Sequence, residues 1–112
     1  MSLWRITVLL WGVSAFGATS VEAGKVLFVR SCAGCHGNDG KALMDAGGDA
    51  TDLTDPKGYR HGSTDAAILT SMRNGANGMP AFRSELKDED FRHLLDFIHS
   101  LWPKGLNTKT AP

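Results

Sequence analysis

The chain has 112 residues and carries 12 Lys or Arg against 12 Asp or Glu, so its formal charge is zero and its length favours one domain. A neutral chain has no bulk electrostatic attraction for nucleic acid or for an anionic membrane surface. A hydrophobic content of 42% is too high for a disordered chain, and two cysteines are too few for a disulfide-stapled scaffold or a four-cysteine zinc module.

Residues 1–23 have the layout of a secretory signal peptide. Arg5 supplies a positive charge ahead of the apolar residues 6–18, and Val21 and Ala23 place branched or small side chains at the cleavage-site positions. As a helix, the apolar run would span about 20 Å, short of the roughly 30 Å hydrocarbon core of a membrane. We therefore predict export and cleavage after Ala23, rather than stable membrane insertion.

The next part of the chain predicts one short helix followed by a long loop. Residues 25–30 contain no helix breaker and suit a short helix, although their apolar run is also compatible with a strand. Residues 37–62 are rich in Gly, Asp and Thr, which is typical of loops. A loop of this length in a compact domain is usually functional, or wraps a group that replaces a protein core.

Two further helices are predicted after this loop. The first begins near Ser63 or Thr64 and ends at Gly75, and the second runs from about Asp88 to Leu101. Its apolar residues follow the i, i+3, i+4, i+7 pattern of one buried stripe: Phe91, Leu94, Leu95, Ile98 and Leu101. Because no alternating strand pattern occurs, we predict an all-α domain over residues 24–104, followed by a flexible tail at 105–112.

The segment containing Cys32, Cys35 and His36 has the Cys-x-x-Cys-His spacing of c-type haem attachment. Two thiols one helical turn apart can each add to a vinyl group of the same porphyrin, and the adjacent histidine then directs its imidazole at the iron. The sequence therefore predicts one haem c, covalently bound through both cysteines, with His36 as an iron ligand.

Three other interpretations of the same motif are weaker. A zinc site would need two further ligands, and the remaining histidines are not in a paired ligand spacing. A thioredoxin-like redox pair belongs in a βαβ unit, which this sequence does not predict. A structural disulfide would leave His36 and the long loops unexplained.

Three methionines outside the predicted signal peptide compete for the second axial position of the iron. Met72 lies on the apolar face of a predicted helix and is expected in the core. Met44 lies in the glycine-rich loop. Met79 is flanked by Gly78, which permits close backbone approach, and by Pro80, which fixes the chain direction. We therefore predict that His36 and Met79 are the two iron ligands.

These residues resemble the class I cytochromes c, which are small carriers with a single haem. Besides the attachment motif, the resemblance rests on Gly24 and Phe28 before Cys32, on the Gly78-Met79-Pro80 loop, and on Leu94 and Phe97 in the last helix. The chain departs from many relatives in two ways: Phe97 replaces a tyrosine, and residues 37–53 contain no proline whose carbonyl would orient His36.

The resemblance implies a small cytochrome c fold, in which the N- and C-terminal helices cross and long loops wrap one haem. It implies a monomeric periplasmic one-electron carrier, not an enzyme. Its partners would be a membrane respiratory complex or dehydrogenase and a terminal oxidase or reductase. It would not bind nucleic acid. Tyr59, Arg60 and His61 are candidates to hydrogen-bond a haem propionate, since buried carboxylates need partners.

Two alternatives stay open. If Met79 does not bind iron, a five-coordinate haem would suit a gas sensor or a peroxidase. The chain is also compatible with a dedicated haem subunit of a single dehydrogenase or oxidase.

Overall fold

The computed structural model describes residues 19–43 and 50–106. Its helices are α1 (Ser20–Ser31), α2 (Ala33–His36), α3 (Asp65–Asn74) and α4 (Asp88–Ser100), with a short 3-10 helix, η1, at Pro56–Gly58. Within the described ranges the only β-type pairing is an isolated bridge between Ala76 and Met79, so the all-α prediction is confirmed there. Met44, residues 1–18 of the predicted signal and residues 107–112 of the predicted tail lie outside the described residues.

Helix α1 begins earlier than the sequence pattern predicts. Thr19 forms a capping box with Glu22: its hydroxyl accepts from the Glu22 N–H at 3.2 Å, and the Glu22 carboxylate accepts from the Thr19 N–H at 3.4 Å. Ser20 Oγ donates to Asp96 Oδ2 at 2.5 Å, which links the start of α1 to α4. The first turn of α1 therefore includes Ala23, the residue after which signal cleavage is predicted, and the position of that cleavage stays a prediction.

Helices α1 and α4 cross in direct contact at Gly24. A Cβ atom on Gly24 would lie 1.9 Å from the His93 carbonyl oxygen and 2.8 Å from Phe97 Cβ, so only glycine fits. One turn further along α1, Phe28 is fully buried, and its ring centroid lies 4.9 Å from that of Phe97. The close crossing implied by the resemblance is confirmed.

Helix α4 buries the stripe that the sequence predicts. Its buried residues are Phe91, Leu94, Leu95, Phe97 and Ile98. Asp90 Oδ2 accepts from the Lys87 N–H at 3.0 Å, and the acidic first turn suits the positive end of the helix dipole. Leu101 follows the last helical residue and is half-buried, whereas Trp102 is buried.

Helix α3 begins and ends as its capping residues predict. Thr64 Oγ1 accepts from the Ala67 N–H at 3.1 Å, and Gly75 ends the helix with a φ of 77°. Ile68 and Met72 are buried, so the expectation that Met72 belongs to the core is confirmed. None of the helices in residues 19–43 and 50–106 is both long and apolar enough to cross a membrane.

Candidate functional site

A cavity of about 480 Å³ lies between the α1–α2 corner, the loop that contains η1, helix α3 and the segment after α3. This volume is within the range of small-molecule and cofactor sites, about 300 to 1,000 Å³. All four of the predicted site residues line it: Cys32, Cys35, His36 and Met79. We call this cavity the crevice.

The cysteines lie on the α1–α2 corner with both thiols unpaired. The Cys32 carbonyl accepts from the His36 N–H at 3.0 Å, which forms the single helical turn that brings both sulfurs and the imidazole to the crevice. Burial, reinforced by the nearby Cys35, raises the pKa of Cys32 to about 11, so this thiol is protonated at neutral pH. Cys35 is exposed at the mouth of the crevice.

The imidazole of His36 is oriented by a backbone carbonyl from the following loop. His36 Nδ1 lies 3.0 Å from the Thr51 oxygen; since a carbonyl can only accept, Nδ1 carries the proton and donates. The other ring nitrogen, Nε2, is then the unprotonated atom that can bind a metal ion. Thr51 therefore supplies the orienting partner for which the sequence offered no proline.

Met79 is presented by a tight turn at residues 76–79. The Met79 N–H donates to the Ala76 carbonyl at 2.8 Å, and the Ala76 N–H donates back to Met79 at 3.2 Å. The two central residues, Asn77 and Gly78, have φ angles of 45° and 90°. Positive φ at both central positions defines a type I′ turn, for which Asn-Gly is a preferred sequence. We call residues 76–79 the methionine turn.

The methionine turn packs against the end of α3 because Gly75 has no side chain. A Cβ atom on Gly75 would lie 2.6 Å from the Met79 carbonyl oxygen. After the turn, the N–H groups of Phe82 and Arg83 donate to the carbonyls of Met72 and Arg73 at 3.0 and 3.3 Å. The chain on both sides of Met79 is thus held by backbone contacts to α3.

The half-buried Tyr59 forms a hydrogen-bonded pair with Trp102, which has no predicted role at the site. The Tyr59 hydroxyl donates to the Leu53 carbonyl at 2.6 Å and accepts from Trp102 Nε1 at 3.0 Å. Burial raises the pKa of Tyr59 to about 12. Since Tyr59 lines the crevice, Trp102 links this wall to the end of α4.

Arg60 and His61, the other two residues predicted to bind a propionate, also line the crevice. His61 Nε2 lies 3.2 Å from Asn77 Nδ2, so a polar contact connects the loop after η1 to the methionine turn. Arg60 is exposed. The predicted role of Tyr59, Arg60 and His61 in binding a propionate stays a prediction.

The side chains around the crevice fit a haem attached through two thioethers. Two unpaired thiols, the imidazoles of His36 and His61 and the thioethers of Met72 and Met79 line the cavity. Apolar side chains that include Phe28, Ile68 and Phe82 line it with them. Among the described residues that line it, none is Asp or Glu. In the described part of the chain, no group of three His, Cys, Asp or Glu side chains could hold a metal ion directly, so the zinc alternative finds no such cluster there.

Comparisons with known proteins place the chain among the c-type cytochromes. Residues 19–98 match the family model described as cytochrome c oxidase, cbb3-type, subunit III. The chain is 32% identical over 81 residues to cytochrome c6 of Gracilaria tenuistipitata var. liui, covering 72% of each chain. It is 33% identical over 99 residues to the cbb3-type cytochrome c oxidase subunit FixPc of Rhizobium leguminosarum bv. viciae, covering 87% of this chain and 34% of that subunit.

The chain is also similar in fold to a solved cytochrome structure. Cytochrome c6 from the diatom Phaeodactylum tricornutum matches with a TM-score of 0.55 and 28% identity, covering 71% of this chain and 91% of that one. The chain therefore spans most of these cytochromes c6 but only about a third of the FixPc subunit.

Proposed function

Because this chain belongs to the class I cytochrome c family of electron carriers, we propose that it is a periplasmic one-electron carrier whose iron is bound by His36 and Met79. The small cytochrome c fold and the covalently bound c-type haem predicted from the sequence are confirmed by the same findings. The proposal concerns the iron ligands, the compartment and the carrier role of this particular chain.

One observation carries the proposal: His36, whose Nδ1 donates to a carbonyl, and Met79 line the same crevice. Met72 also lines the crevice, but it belongs to the buried core cluster. The Thr51 carbonyl holds the proton of His36 on Nδ1, which leaves Nε2 for the iron, while the methionine turn supplies the sulfur. The bound haem supplies an iron that gains and loses one electron. With His36 and Met79 both bound to the iron, oxygen and peroxide would have no open coordination site.

The surroundings of the site favour the reduced state. A thioether is a soft ligand that favours ferrous iron. Phe28, Ile68 and Phe82 exclude water from the crevice wall, and no carboxylate side chain among the described lining residues stabilises the extra positive charge of ferric iron. These features support a raised reduction potential.

Electrons would enter and leave at the mouth of the crevice, where the cofactor edge comes nearest to solvent. Gly34 and Cys35 are exposed on one side of the mouth, and Gly78 and Pro80 on the other. Small, uncharged residues allow a redox partner to approach closely through a small and transient interface. The proposed partners are a membrane respiratory complex or dehydrogenase as donor and an oxidase or reductase as acceptor.

Visible spectroscopy of the purified holoprotein tests the proposed ligation. We expect low-spin, six-coordinate spectra in both oxidation states and slow carbon monoxide binding by the reduced protein. Met79→Ala should give a high-spin ferric spectrum and fast carbon monoxide binding. A wild-type protein that is already high-spin and binds carbon monoxide rapidly would contradict the carrier and support the five-coordinate alternative.

The family match favours one further candidate, a dedicated haem domain of a membrane oxidase. The family model is that of a cbb3-type oxidase subunit, and the FixPc relative is a subunit of such an oxidase. Purification of the tagged protein from solubilised membranes at moderate salt distinguishes the two roles. A stoichiometric oxidase complex would support the subunit role, whereas recovery of the haem protein alone would support the shuttle.

A further inference from the structure

His61 lies in the partition between the crevice and a second cavity. This second cavity, of about 460 Å³, lies on the side of α3 and shares four lining residues with the crevice. The shared residues are His61, Ser71, Ala76 and Asn77. The contact between His61 and Asn77 therefore forms part of the wall beside the methionine turn.

The hydrogen bond between these residues has a defined direction. Asn77 Nδ2 can only donate, so His61 Nε2, at 3.2 Å, is the acceptor. Asn77 is a central residue of the methionine turn and stands two positions before Met79. The bond is thus a side-chain connection from another loop to the segment that carries the predicted ligand.

The loop that carries His61 is itself held firmly. The Gly62 N–H donates to the Tyr59 carbonyl at 3.2 Å, which closes a turn around His61. The Tyr59 side chain is fixed in turn by Leu53 and Trp102, and the adjoining Ser63 is 1% exposed. His61 therefore connects the methionine turn to a loop that is anchored, through Trp102, at the end of α4.

The backbone bonds of the methionine turn do not provide this connection. They fix the shape of the turn and its junction with α3, but they do not reach the wall opposite α3. We propose that His61 is a positioning residue that restrains the methionine turn, and with it the Met79 sulfur, at the crevice. This inference rests on the proposed ligation of iron by Met79.

Imidazole binding to the ferric holoprotein measures this restraint, because imidazole must displace the axial methionine to bind iron. His61→Ala should tighten imidazole binding about two- to fivefold, the low end expected for one hydrogen bond, because this bond is exposed. Asn77→Gly tolerates the positive φ while removing the amide, and should have a similar effect. Because both changes remove the same contact, the double variant should bind imidazole no tighter than either single variant.

His61→Gln should restore wild-type affinity, since a glutamine amide can both accept from and donate to Asn77. His93→Ala is the matched control: His93 lies on α4 outside both cavities, so its loss should leave imidazole affinity unchanged. Far-ultraviolet circular dichroism checks that every variant is folded.

Met79→Ala separates failure of this inference from failure of the proposed ligation. The positioning role of His61 is wrong if Met79→Ala tightens imidazole binding strongly but His61→Ala does not. It is also wrong if the effects of His61→Ala and Asn77→Gly on imidazole affinity are additive. If Met79→Ala leaves the affinity unchanged, Met79 is not the ligand, and both proposals fail.

Discussion

The two walls of the crevice are built differently. On the His36 wall, the proposed ligand belongs to a helical turn that continues α1, and α1 crosses α4 around the buried Phe28. On the Met79 wall, the proposed ligand lies in a short turn held by a few hydrogen bonds, and Asn77 and Gly78 are exposed. The first wall depends on packing and covalent attachment, whereas the second depends on contacts that can break one at a time.

This difference predicts how substitutions on each wall affect the protein. Changes on the His36 wall should affect haem attachment or the stability of the whole domain. Changes on the Met79 wall should affect ligation and local structure while the domain stays folded. Four experiments test the comparison.

The largest effect is expected from replacing both Cys32 and Cys35 with alanine. The variant should lose covalent haem and most of its helical circular dichroism, because a chain of this size with long polar loops buries too little apolar surface to fold without the cofactor. Acid-acetone extraction followed by mass spectrometry measures attachment. Haem that stays with the protein after extraction, or native-like dichroism without haem, would contradict the prediction.

Gly24→Ala should destabilise the domain by about 3 kcal/mol, because the new methyl group would collide with the His93 carbonyl where α1 and α4 cross. Urea unfolding followed by circular dichroism measures the change. Gly58→Ala is the control: its nearest neighbour, Asp55 Oδ2, would be 3.8 Å from the added Cβ atom, an ordinary contact distance. Equal stabilities for the two variants would show that the crossing is less tight than the geometry indicates.

Gly75→Ala should displace the methionine turn on the Met79 wall. It should lower the free energy of unfolding of the whole domain by a smaller amount, about 2 kcal/mol. Its φ of 77° is strained for alanine, and its Cβ would lie 2.6 Å from the Met79 carbonyl, so the methionine turn must move. Gly78→Ala has comparable φ strain, at 90°, but no atom within 4 Å. We expect a high-spin ferric fraction for Gly75→Ala that exceeds that of Gly78→Ala; the reverse order would place the sensitive contact elsewhere.

The smallest effect concerns the pH dependence of stability through Tyr59. Burial raises the pKa of Tyr59 from its ordinary value of 10.0 to about 12, so the folded state holds this proton more tightly than the unfolded state. The resulting stabilisation is fully present below pH 10 and is lost as pH rises to about 12, by at most about 2 kcal/mol given the partial exposure of the ring.

Urea unfolding of the wild type and Tyr59→Phe between pH 9 and pH 12 measures this contribution. Tyr59→Phe should be less stable at pH 9, because Trp102 Nε1 loses its acceptor, and its stability should fall less between pH 10 and about 12. Parallel pH profiles for the two proteins would show that Tyr59 does not titrate differently on folding.

The sequence predicts those parts of the molecule whose chemistry is carried by side chains close together in the chain. Cys32, Cys35 and His36 occupy one turn, and the stripe on α4 follows a single period. Met79 was chosen for its Gly and Pro neighbours, and the structure places it at the crevice with the other three residues. The start of α1 was missed because Val21 to Ala23 have the residue types of a cleavage site, and the capping role of Thr19 depends on Glu22.

The contacts that sequence reasoning missed join distant parts of the chain. Trp102 and Tyr59 are 43 positions apart, and His61 and Asn77 are 16 apart. Neither pair has a local spacing that marks it, because long-range hydrogen bonds depend on how the helices pack. The Thr51 contact is harder still to foresee, since every residue has a carbonyl oxygen and no side chain identifies the one that is used.

The Thr51 carbonyl determines which kinds of mutation near His36 the protein can tolerate. Because the acceptor belongs to the main chain, exchanging the side chain at this position leaves the group that steers the ring of His36 in place. What must be preserved is the position of the Thr51 carbonyl relative to the ring. Insertions and deletions between His36 and Thr51, rather than replacements, are the alterations that would rotate the imidazole.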